Sequence, residues 1–231
     1  MTQSNTQPPT TAAYADGFQH QPLRTVVAAA LRDAILGGGL KPGTSLIEKT
    51  IAEELQISRA PVREAIRMLS EEGLVESVPY KGSRVRRLRS RDVQELYAIR
   101  GLLERFALDL VLASGPVDTT DLETACREMD EAAKFGDARA LNEADRRLHR
   151  ALIEMADQEL LLTLWTQIEL RARQIMALRN DQVGDLATIA ANHRGIVAAI
   201  ATGDAENAKR LIEEHVTSGA SLALNDWEDA S

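Results

Sequence analysis

Apolar residues recur at helical spacing from Pro22 onward. Val26, Leu31, Ile35 and Leu36 outline a first stripe that Gly37-Gly38-Gly39 ends. Lys41-Pro42-Gly43 reads as a turn. A short second helix is expected over 48–55, with Ile51, Ala52 and Leu55 inward. A third starts at Ser58, a good N-cap residue, with Pro61 in the first turn, where its missing N–H costs nothing. Val62, Ile66 and Leu69 form its buried stripe, and Gly73 stops it. The pattern then changes. Residues 74–78 and 83–88 are rich in β-branched residues and flank Pro79-Tyr80-Lys81-Gly82, which predicts a β-hairpin. Three helices and a hairpin within about 65 residues is the order of a winged helix-turn-helix. Beyond Ser90 the periodicity is helical throughout. Helices are expected over about 91–113, 120–135, 138–155, 158–179, 185–202 and 204–224, with a capping box of Thr120 and Glu123. The predicted chain is mainly α: a polar flexible tail over 1–20, a winged helix-turn-helix over 21–89 and an all-α bundle over 90–231.

Charge sharpens that division. Residues 21–90 carry 12 Lys and Arg against 8 Asp and Glu, whereas residues 91–231 carry 15 against 26. A basic first unit joined to an acidic second one points to nucleic acid at one end only. No apolar run is long enough to span a membrane. The start of the chain is polar, and Cys126 is the single cysteine, which excludes a disulfide framework and a thiolate metal cluster. The expected location is the cytoplasm.

On the third helix Arg59, Arg63 and Arg67 recur every four residues, forming one stripe beside the apolar face. The start of this helix is where a helix-turn-helix reaches base edges, and a guanidinium fork suits guanine or phosphate. Ser58, at the positive end of the helix, can meet a phosphate. Lys81 and Gly82 stand at the hairpin tip, where a glycine lets the backbone approach a groove. Arg67 can alternatively pair with Glu64 or Glu71 on its own helix.

The segment AILGGGLKPGTSLIEKTIAEELQISRAPVREAIRMLSEEGLVESVPYKGSRV resembles the DNA-binding domain of GntR-family bacterial regulators. The PG turn, the SRAPVREA helix start, the EGLV step and the wing-tip glycine follow in order. The resemblance implies DNA contacts at Ser58, Arg59, Arg63, Gly82 and Lys49.

The acidic half holds three of the four histidines. His149 follows Leu141, Asp145 and Leu148 on one helical face. His193 lies within the stripe Ile189, Ile196, Val197 and Ile200, and His215 within Ala208, Leu211, Ile212 and Leu222. A carboxylate and three imidazoles on core-facing stripes are costly unless something compensates them. A divalent ion held jointly would do so, and this donor set suits Zn²⁺ or Ni²⁺. The alternative is three separately hydrogen-bonded core histidines, with Asp145 paired to an arginine.

Residues 91–225 are similar to the FadR-type effector (FCD) domain of the same family, through SRDVQELYAIRGLLERFALDLVLA, EADRRLHRALIEMA and NHRGIVAAIATGDAENAKRLIEEHV. That resemblance implies a metal at Asp145, His149, His193 and His215, beside a pocket for a small carboxylate. A cation should then assist, and Arg100, Arg171 and Arg173 are candidates for the effector pocket; Arg100 can instead pair with Glu104. The expected molecule is a homodimeric repressor on a palindromic operator, released by its effector. A metal-dependent enzyme is the first alternative, but no base motif, nucleophile elbow or phosphate loop accompanies the histidines. An architectural DNA binder with a structural metal is the second.

Overall fold

A computed structural model describes residues 22–78, 82–179 and 185–224. The tail over 1–20 and Lys81 lie outside the described residues. Helix α1 (Leu23–Leu36) leads into a two-residue strand β1 (Ser45–Leu46), then α2 (Glu48–Glu54) and α3 (Arg59–Glu71). Strands β2 (Val75–Val78) and β3 (Gly82–Val85) form the hairpin. The sheet order is β1-β3-β2, antiparallel throughout, with Ser45 opposite Arg84 and Val75 opposite Val85. Val62, Ala65, Ile66 and Leu69 of α3 are buried with Val27 and Ile35 of α1 and with Leu74 and Val85 of the hairpin.

The rest is helical: α4 (Ser90–Ala113), α5 (Thr120–Phe135), α6 (Ala138–Met155), α7 (Glu159–Arg179), α8 (Leu186–Ala201) and α9 (Ala205–Leu224). Leu108, Leu122, Met129, Leu152, Ile153, Ile196 and Ile212 belong to its central core. Leu88, Val93, Leu96, Tyr97, Ile175 and Val216 form a smaller cluster near the junction with the winged helix. The chain is thus mainly α, with one small sheet among the described residues.

One local expectation is corrected, and two details are added. Strand β1 carries too few residues to show a period of two, and only its pairing with β3 reveals it. Ser58 is the N-cap of α3 but makes no side-chain cap bond. The N-cap of α5 is Thr119, not Thr120. Asp118 Oδ1 accepts from both the backbone N–H and the hydroxyl of Thr120, at 3.0 and 2.6 Å. Thr120 is therefore already committed, and Glu123 accepts from Thr119 Oγ1 instead.

Candidate metal centre and nucleic-acid interface

Aspartates start the three helices that carry the histidines. Asp137 accepts from Ala140 N, Asp185 from Ala187 N and Asp204 from Asn207 N. Each takes up an N–H with no partner inside its helix. The apolar stripes then turn α6, α8 and α9 so that their polar interruptions meet. One ligand atom each from Asp145, His149, His193 and His215 lies within 4.8 Å of the others. His193 Nε2 stands 3.3 Å from His149 Nε2 and 2.8 Å from Asp145 Oδ1. His215 Nε2 stands 3.1 Å from His149 Nε2. Asp145, His149 and His193 are buried.

Hydrogen-bond chemistry fixes two of the rings. His193 Nδ1 lies 2.8 Å from the carbonyl oxygen of Ile189, which can only accept, so Nδ1 carries the proton. His149 Nδ1 lies 2.8 Å from Glu104 Oε2, an ionised carboxylate, and must also donate. In their neutral forms both rings aim an Nε2 lone pair into the cluster. Ring nitrogens facing one another at such distances repel unless a proton or a cation lies between them. A tetrahedral ion with bonds of about 2.0–2.1 Å needs ligand atoms roughly 3.3 Å apart. The residues therefore fit a divalent ion.

Charges around the cluster follow from burial and neighbours. Burial opposes ionisation of Asp145, but His149 and His193 overcome it and hold its pKa well below the carboxylate range. Glu104, also buried, is lowered by His149 and Arg100. Burial, His193 and His149 drive the His215 pKa far down, which keeps the ring neutral. Burial and Arg100 disfavour a charge on His149, but Glu104 and Asp145 outweigh them and raise its pKa.

Of the three expected pocket arginines, the structure brings Arg100 to the cluster. Its Nε donates to Glu104 Oε1 at 2.6 Å, the pair anticipated from sequence. Its Nη2, 4.0 Å from Asp145 Oδ2, is buried without a hydrogen bond. Arg100 also lies over the ring of Trp165, 5.9 Å from its centroid. The Trp165 ring is 6.5 Å from that of His149, and its Nε1 is likewise buried and unpartnered. Two orphaned donors thus belong to residues packed around the same centre. Trp165 escaped the sequence reading, and Glu104 entered it only as a partner of Arg100, because nothing ties an apolar tryptophan or an i,i+4 carboxylate to a histidine on another helix before the helices assemble.

Arg171 is not at the cluster. At about 100° per residue it points roughly 200° away from the buried Glu169, toward the winged helix. Arg173 is only about 40° from Glu169; it is half-buried, with Glu143 Oε2 4.0 Å away.

At the other end, Arg59, Arg63 and Arg67 are exposed along α3. Glu48 of α2, unnoticed in the sequence, engages two of them. Its carboxylate accepts a fork from Arg63 and one bond from Arg59, all at 3.1 Å. These bonds lower the Glu48 pKa, and that of Arg63 is raised. Arg67 sits between Glu64 and Glu71, as its position allowed. Lys49 is exposed, 3.8 Å from Glu53, and Ser58 is exposed beside Arg59. Gly82 has φ +84° with open space where a Cβ would stand, so its backbone is accessible.

Two known family models match the chain. The model of bacterial regulatory proteins of the GntR family matches residues 23–85, and the FCD domain model matches residues 95–218. The chain belongs to the GntR family. This GntR regulator is 34% identical over 197 residues to the "Probable D-xylose utilization operon transcriptional repressor" of Paenarthrobacter nicotinovorans, covering 84% of this chain and 87% of that one. It is 30% identical to the gluconate operon transcriptional repressor of Bacillus subtilis, over 77% and 75% of the two chains. A GntR regulator of known structure from Rhodococcus sp. RHA1 superposes with a TM-score of 0.77 at 27% identity, covering 89% of this chain and 99% of that one. These relatives are transcription regulators rather than enzymes, and GntR-family regulators bind DNA. Among the described residues no helix is long and apolar enough to cross a membrane.

Proposed function

We propose that this chain is a homodimeric, DNA-binding repressor whose operator affinity is set by a divalent metal and a small carboxylate effector. Residues 21–89 form the DNA-binding unit. Ser58, Arg59, Arg63, Arg67, Lys49, Lys81 and Gly82 contact the duplex. Residues 90–231 form the effector unit, in which Asp145, His149, His193 and His215 hold Zn²⁺ or Ni²⁺. The ion supplies a Lewis-acidic site for a ligand oxygen. Arg100 Nη2 donates to the same carboxylate, and Arg173 of α7 is the second candidate cation. The carrying observation is the meeting of four ligand atoms within 4.8 Å beside an Arg100 Nη2 that is buried without a hydrogen bond. A buried guanidinium N–H without a hydrogen bond is stabilised by an anion.

An apolar strip on α4, Ile99, Leu102 and Phe106, together with Leu160 and Leu164 of α7, is exposed. It supports a second copy as partner, which would set two reading helices on a palindromic operator. The effector acts by binding one arrangement of the dimer more tightly than the other.

The test is a thermal-shift screen of hydroxy acids, sugar acids and dicarboxylates on Zn²⁺-loaded protein. Gluconate is included because one relative is named for a gluconate operon. A stabilising acid whose effect vanishes on chelation, and which releases DNA, is the expected result. Metal retention with no responsive acid would leave a structural metal.

A further inference from the structure

We propose that Glu104 is a positioning residue of the metal centre, holding His149 in the one tautomer that can bind the ion. The inference rests on the metal reading of Asp145 and the three histidines and adds a residue from a fourth helix to it. Glu104 lies on α4, whereas the candidate ligands lie on α6, α8 and α9. It is fully buried, and its two oxygens are divided between two donors: Oε2 faces His149 Nδ1 at 2.8 Å, and Oε1 faces Arg100 Nε at 2.6 Å.

That division makes the carboxylate hard to replace. A guanidinium can only donate, so Oε1 must be an acceptor. The ring nitrogen beside Oε2 then has one ionised partner, and it carries the proton. The opposite nitrogen, Nε2, keeps its lone pair toward His193 and His215. A glutamine at this position has one acceptor and one NH₂ group. Turned with its oxygen to His149, it sets its NH₂ against Arg100, donor against donor. Turned the other way, it satisfies Arg100 and offers an N–H to His149 Nδ1. The ring must then move its proton to Nε2, and the lone pair leaves the cluster. The buried Arg100 makes the second arrangement the better one. The same carboxylate therefore fixes both a metal ligand and the cation expected to meet the effector.

The experiment uses the full chain with ¹⁵N-labelled histidine, metal-free, at a pH raised until each ring shows a single bound proton. Long-range ¹H–¹⁵N spectra identify the protonated nitrogen of each ring. In the native protein His149 is expected protonated at Nδ1, as is His193. In Glu104→Gln one ring is expected to switch to Nε2–H, while His193, held by Ile189, does not. Zn²⁺ affinity, measured by competition with a chelating dye, should fall by roughly 10–100-fold in the variant. A native His149 protonated at Nε2 overturns the proposal, and this needs no variant to fold. Unchanged tautomers and Zn²⁺ affinity in a folded Glu104→Gln protein overturn it equally. Failure of the native protein to bind any Zn²⁺ sinks the metal reading instead, and is recognised because the native tautomer is read without metal.

Discussion

Gly73, just beyond α3, lies directly beneath Arg171 of α7: a Cβ on Gly73 would stand 2.8 Å from Arg171 Nη2. Gly73 also has φ +76°, the left-handed region that disfavours a side chain. This contact joins the winged helix to α7. Leu170 of α7 packs on the winged-helix core, and Gln174 Nε2 donates to Arg86 O at 3.3 Å. On the same helix, Trp165 packs on His149, and Glu169 accepts from Arg146 and Arg150 of α6. A single helix therefore touches both the centre that would bind a ligand and the unit that would bind DNA.

Gly73→Ala should destabilise the protein by about 1–2 kcal/mol from the left-handed backbone alone, with an added penalty from displacing Arg171. Urea unfolding of both single variants and of Gly73→Ala/Arg171→Ala separates the two effects. The double variant should recover the contact penalty and not the backbone one. Strictly additive changes would mean that Arg171 does not press on Gly73 in solution.

Arg63→Ala should cost roughly 1–3 kcal/mol of base discrimination. Duplexes selected by the native protein from a randomised library would show this as a flattened preference at one position of each half-site. Glu48→Gln, which removes a carboxylate from between Arg59 and Arg63, should strengthen binding to random duplex. Identical selected sequences for native and Arg63→Ala protein would remove Arg63 from the reading surface.

His193→Ala should abolish Zn²⁺-dependent stabilisation. For the native protein, Zn²⁺ at 100 times its Kd should add about 2.7 kcal/mol, reversed by a chelator. A raised melting temperature of equal size in the variant would show that the ion is held elsewhere. Because His149 must lose any second proton to bind metal, Zn²⁺ affinity of the native protein should fall as pH drops.

Leu102→Glu should leave protomer stability within about 0.5 kcal/mol, as expected for a surface position. Leu102 is 66% exposed. Sedimentation velocity should nevertheless show a shift from dimer to monomer, because a charge would enter an apolar contact between copies. A dimer undisturbed by this change would place the interface on another face.

Much of the protein was determined by the sequence alone. Helical stripes and glycine stops delimited α1 to α9 to within a residue or two, because local periodicity and chain-breaking residues act over a few positions. The four core-facing polar residues, Asp145, His149, His193 and His215, were legible for the same reason: each interrupts an apolar face of its own helix. Tertiary structure alone decided what lies between distant helices. It brought Glu104 to His149, across 45 positions, and Trp165 beside them. It set Glu48 against Arg59 and Arg63, and it turned Arg171 to the winged helix instead of the pocket. Helix period specifies which face a residue occupies, but not which helix that face will meet. That choice belongs to the packing of whole helices, and short-range pattern carries no record of it.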